Sequence, residues 1–152
     1  MLVNISMKTI IAALAIGAAS ASSHAAADGL TAKQTLAYFH EALAKGDSNR
    51  ALGFLSKDVV IYEAGHIERS RDEYAHHHLK GDMEFAKNTA VKTLRQTERE
   101  GKDMVVIWQE TETTGTAGNK PVHLLGTATA VLEKRDARWS IVHLHWSSRK
   151  PK

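Results

Sequence analysis

The texture of this chain changes once, near Asn88, and that change restricts its fold more than any other feature. Downstream, apolar and polar residues alternate with the period of two that puts one face of a strand on a core. Four strands are expected near 90–99, 103–113, 120–134 and 138–148, joined by the turn signals "EGKD", "GTAGNKP" and "KRDAR". Upstream, the period is helical. "LTAKQTLAYFHEALAKGD" sets Thr31 and Gln34 as a capping box behind a Leu30 staple. Leu36, Phe39, Leu43 and Ala44 then share one stripe, and Gly46 ends it. Asp47 caps a second, short helix through Ala51, Leu52, Phe54 and Leu55. "DVVIYE" reads as a strand ending at Ala64-Gly65. Ser70 and Glu73 open a third helix expected to stop at Gly81, with Asp82 starting one more turn. Helices followed by a long meander make an α+β arrangement: a curved antiparallel sheet covered by N-terminal helices, with a ligand cavity expected between the two layers.

Residues 1–27 have a different logic. Lys8 precedes the apolar run "TIIAALAIGAASA", and "SSHAAADG" follows with small residues in an A-x-A pattern. This is the pattern of a secretory signal peptide, with Met7 as the more usual start and cleavage expected after Ala25 or Ala27. An uncleaved membrane anchor is the alternative, which the shortness of the apolar run disfavours. Residues 28–152 then form one domain, of a size that supports a single modest core. The expected location is a bacterial periplasm or the medium, and the absence of cysteines fits a periplasm better than a eukaryotic secreted module. No other stretch is apolar enough to span a bilayer, so no membrane association is expected once the signal is removed. The formal charge of +3 is spread among interspersed acids and bases, which argues against nucleic acid as a partner.

"FHEALAKGDSNRALGFLSKDVVIYEAGHIERSRDEY" closely resembles the opening of nuclear transport factor 2-like proteins, and "RWSIVHLHWSS" resembles the last strand of their SnoaL-like branch. The latter is also similar to a strand of the association domain of calcium/calmodulin-dependent kinases. The resemblance covers nearly all of residues 28–152. It implies a cone-shaped α+β barrel with a pocket, commonly dimeric, a fold shared by isomerases, cyclases, dehydratases and non-catalytic binders. Ketosteroid isomerases share the Gly-Asp turn, and an ungapped count from Asp47 puts Glu63 at the place of their carboxylate base. The same count puts Phe39 where they hold an oxyanion-binding tyrosine, with Tyr38 one residue off. No carboxylate lies near Thr127 to Thr129, where the second oxyanion acid belongs. Ketosteroid isomerase activity is therefore not expected.

Among the polar residues, Glu63 is the expected pocket carboxylate and the candidate catalytic base; Glu68, across Gly65, is the weaker candidate. In "EYAHHHLKGD" three consecutive histidines point in three directions, so His77 or His78 faces the pocket, beside Tyr74, while His76 is solvated. His143 and His145 sit two apart on the last strand and share a face with Trp139. Three readings apply to that pair: pocket lining, a metal pair with a third ligand from His77, His78 or Glu63, and buried structural histidines. Pocket lining is preferred, so no metal or cofactor is expected. Tyr38, Tyr62, Glu63, Tyr74, His77, His78, Trp139, His143 and His145 make up the expected ligand-binding set. Val142, Leu144 and Trp146 occupy the opposite face and, with Ile107 and Trp108, are expected to pack against a second copy in a homodimer. The function expected is binding of a small organic ligand. The alternative is an isomerase, cyclase or dehydratase using Glu63 or a histidine as base, which also needs a donor for the developing anion.

Overall fold

The computed structural model describes residues 29–152. The expected signal peptide, its expected cleavage after Ala25 or Ala27 and the choice of start lie outside the described residues. Four helices and six strands follow in order: α1 (Ala32–Lys45), α2 (Ser48–Phe54), β1 (Leu55–Glu63), β2 (His66–Glu68), α3 (Arg71–His77), α4 (Leu79–Asn88), β3 (Thr89–Glu100), β4 (Met104–Ala117), β5 (Lys120–Arg135) and β6 (Arg138–Arg149). The caps act as their chemistry dictates. Thr31 and Gln34 satisfy each other's backbone amides at the start of α1, and Gly46 closes it in the left-handed conformation. Asp47 accepts from the Arg50 amide, and Ser70 from the Glu73 amide.

The region of the third helix differs from expectation. Gly81 does not end a helix; it lies inside α4, and it is absent from the glycines with positive φ. A glycine stops a helix when it turns left-handed, and without that turn it merely weakens one. The break falls instead at His78, which joins α3 to α4. The strand β2 is also additional. Ala64 and Gly65, both at positive φ, make a tight two-residue turn that folds His66–Glu68 back on β1.

The sheet runs in the order β2-β1-β6-β5-β4-β3 and is curved but not closed, with β2 and β3 as its edges. It is antiparallel except at one seam: β1 lies parallel to β6, so the first long strand is hydrogen-bonded to the last. Helices cover one face. Phe39 and Tyr74 from the helices meet Ile61, Ile107, Leu132, Ile141 and Leu144 from the strands, all almost wholly buried. These side chains fill the centre of the space in which a ligand cavity was expected. Each contributes on the order of 1.5–3 kcal/mol by leaving water.

One irregularity decides which residues face that core. Val131 pairs with His143 but Leu132 pairs with Ile141, so Val142 is an extra residue in β6. A bulge of one residue reverses the alternation beyond it. Ile141 and Leu144, three apart, are therefore both core residues, and His143 and His145 project from the outer face. This corrects two placements. His143 and His145 do not share a face with Trp139, and Leu144, Trp146 and Ile107 belong to the helix-covered side rather than to a subunit contact.

Candidate functional site

Beyond the apolar centre, the inner face turns polar at the β1–β2 end. Glu63 pairs with Trp146 of β6 on one side and with His66 on the other, and Glu68 pairs with Ile61. Cross-strand partners share a face, so Glu63, His66, Glu68 and Trp146 all lie on the helix-covered side. The row continues through Ala128 and Gln109 to Gln96, whose side chains Gln109 and Gln96 join by a 2.9 Å hydrogen bond.

Over this end sit α3 and the start of α4. Tyr74 is fully buried, and its hydroxyl donates to Asp82 Oδ2 at 2.7 Å. Burial pushes the Tyr74 hydroxyl far above its usual range, helped by the charges of Asp82 and Glu63. Asp82 rises from the usual 3.8 to about 6, because burial outweighs the Tyr74 hydrogen bond that favours its ionised form. The Glu63 charge raises it further and His78 lowers it. Glu68 is almost wholly buried and takes two histidine contacts: His77 Nδ1 at 3.2 Å on Oε2, and His78 Nδ1 on Oε1. The His66 and His78 rings lie 5.4 Å apart.

The expected set therefore divides. Glu63, Tyr74, His77 and His78 come together at one end of the sheet, joined by Glu68, His66 and Asp82. The other five do not join them. Tyr38 lies at the α1–α2 contact with the Arg50 guanidinium 5.4 Å over its ring. Tyr62 is on the outer face, edge-on to His143 and His145 at 5.1 and 6.0 Å. His143 donates from Nδ1 to the Val60 carbonyl at 2.8 Å, and His145 is exposed. The outer face is also turned away from Glu63, which removes it as a third metal ligand for that pair. Among the described residues no three or more His, Cys, Asp or Glu side chains form a metal-ligating group. Trp139 does line a hollow, of about 550 Å³, but this one opens at the opposite end of the sheet beside Leu30, Val105 and Lys134.

Asp82 is the residue that sequence reasoning missed. It follows Tyr74 and His78 at four-residue intervals, a spacing that was visible, but its position after Gly81 made it read as a helix start.

The sequence profile of the SnoaL-like domain matches residues 32–150. The chain belongs to the SnoaL-like domain family. Its fold is shared by solved structures. A candidate ketosteroid isomerase from Shewanella frigidimarina is 32% identical, with a TM-score of 0.73 over 76% of this chain and 94% of that one. A candidate dehydratase of the nuclear transport factor 2-like family from Streptomyces avermitilis is 15% identical, with a TM-score of 0.64 over 78% and 94%. A candidate calcium/calmodulin-dependent kinase II association domain from Xanthomonas campestris is 21% identical, with a TM-score of 0.64 over 77% and 84%. No curated protein matches this SnoaL-like chain.

Proposed function

We propose that this SnoaL-like domain binds a small organic molecule at the Glu63–Asp82 end of its inner face and exchanges a proton with it. The observation that carries the reading is the hydrogen bond from the buried Tyr74 hydroxyl to Asp82, a half-buried carboxyl raised to about 6. A group that titrates near neutrality can both give and take a proton, which is what general acid–base chemistry requires. Glu63 supplies a second carboxylate in the same field. The relative from Shewanella frigidimarina is described as a candidate ketosteroid isomerase. In this chain Phe39 is a core side chain with no polar atom, and Thr127 pairs with Ser147 on the outer face, away from Glu63. Neither can serve as an oxyanion donor, so the steroid reaction is not part of the proposal; Asp82 in its acid form is the available donor. Binding without chemistry is the second reading, favoured by Phe39, a buried hydrocarbon side chain where a catalytic donor would stand.

A signal-like N-terminus and the lack of cysteines support export to a periplasm or the medium. Tyr62 and Trp108, exposed on the outer face beside Val60, Val106 and Val131, support self-association there.

Native mass spectrometry of the purified protein tests the binding step. A bound organic mass that is retained by Glu63→Gln and Asp82→Asn while turnover of that compound is lost supports the proposal. Retained turnover in both variants refutes the chemical role, and a chain that carries and takes up no organic molecule refutes the site.

A further inference from the structure

We propose that Glu68 and His78 form a proton relay serving Asp82, with His78 the exchanging group and Glu68 the residue that orients it. The inference rests on the reading of Asp82 given above. Tyr74, His78 and Asp82 follow one another at intervals of four, so their side chains climb one face across the α3–α4 junction. The backbone holds this spacing: the His78 amide donates to the Tyr74 carbonyl at 3.1 Å, and the Asp82 amide to the His78 carbonyl at 3.0 Å.

Glu68 fixes the ring. Its side chain is 6% exposed, and each carboxylate oxygen faces one imidazole Nδ1, that of His78 on Oε1 and that of His77 on Oε2. In the proposed relay Glu68 accepts from both rings, which puts the proton on each Nδ1. In neutral His78 the basic nitrogen is then Nε2, which takes no part in the contact with Glu68. The His78 side chain is 31% exposed, so the ring also meets solvent. A set tautomer, a free basic nitrogen and a way out to water are what a relay needs.

The transfer balances. Asp82 in its acid form passes its proton to Nε2, directly or through one water, leaving a carboxylate and an imidazolium whose charge Glu68 offsets. The imidazolium then releases a proton to solvent, and the reverse sequence reloads Asp82. Against His78 lie the His66 ring and the Glu68 carboxylate of β2; the other titratable groups of this end are His77, which shares Glu68, and Asp82, which feels the charges of His78 and Glu63 and is bonded to Tyr74.

The test is nitrogen-15 NMR of the histidine rings in the full chain, with His78 assigned by the signal lost in His78→Gln. The expected spectrum shows neutral His78 protonated at Nδ1 and bare at Nε2. A carbon-13 titration of the Asp82 carboxyl should give a midpoint of about 6. That midpoint should rise in His78→Gln, because the His78 imidazole is one of the groups that lower it. It should not move in His76→Gln, because the His76 ring bonds its own helix backbone at the Asp72 carbonyl. An Nε2-protonated His78, or an Asp82 midpoint unchanged in a folded His78→Gln, overturns the relay. If that variant fails to fold, the wild-type tautomer decides alone. A wild-type Asp82 midpoint near 3.8 would instead remove the reading on which the relay rests.

Discussion

Replacing Asp82 by asparagine should make the protein more stable at neutral pH and leave it nearly unchanged in acid. The amide oxygen of the variant can still accept from Tyr74, so the substitution mainly removes a charge. Raising a carboxyl from 3.8 to about 6 means that the fold prefers its acid form. Between those two values the folded protein holds a proton that the unfolded chain has released, so stability falls as pH rises. It is fully present below 3.8, lost through the interval, and lowest above 6. At about 1.36 kcal/mol for each pH unit, the whole effect is about 3 kcal/mol. Asp82 is only partly buried, and solvent screening reduces the figure to about 1–2 kcal/mol. Urea unfolding of both proteins between pH 4 and pH 8 measures it directly. The variant's advantage should grow across that range, with most of the increase below pH 6.5. An advantage that is flat with pH, or absent at pH 8, would refute the argument that Asp82 is held in a site hostile to its charge.

Tyr74→Phe removes the hydrogen bond that favours ionised Asp82, so the Asp82 midpoint should rise further and stability at pH 8 should fall by about 1–3 kcal/mol, read by carbon-13 titration and urea unfolding. Phe39→Ala opens the core between helices and sheet and should cost about 3–5 kcal/mol in the same unfolding assay. Gly115 has φ +148, and a Cβ there would stand 2.3 Å from the Asn88 carbonyl oxygen. Gly115→Ala should therefore destabilise by more than about 1 kcal/mol, seen as a lowered melting temperature. Light scattering should give a dimer mass for the wild type and a monomer mass for Trp108→Glu, which places a charge on the outer face; a wild-type monomer would refute self-association through that face.

The fold was legible where local chemistry and periodicity agree. Caps at Thr31, Asp47 and Ser70 and the four long strands follow from residues within a few positions of one another. Two features were not local. The parallel pairing of β1 with β6 joins residues about 80 apart, and nothing in "DVVIYE" announces its partner. The bulge at Val142 reverses the face of every later residue in β6, and the stretch Ser140-Ile141-Val142-His143 carries no glycine or other mark of it. That one extra residue is why the histidine pair was expected inside. The site was half visible. Glu63, Tyr74, His77 and His78 were singled out, but Asp82 acquires its character from burial against Tyr74 and Glu63, which a sequence does not display.

The seam between β1 and β6 also orders events in time. The sheet has its two halves on either side of the strand that comes last in its own sequence order. Until residues 138–149 arrive, the β1–β2 hairpin has no neighbour, and the helices have only part of a surface to cover. A domain whose joining strand is made last cannot complete its core before that strand is present. Deleting β6 should accordingly leave not a smaller version of the domain but two fragments without a common interior.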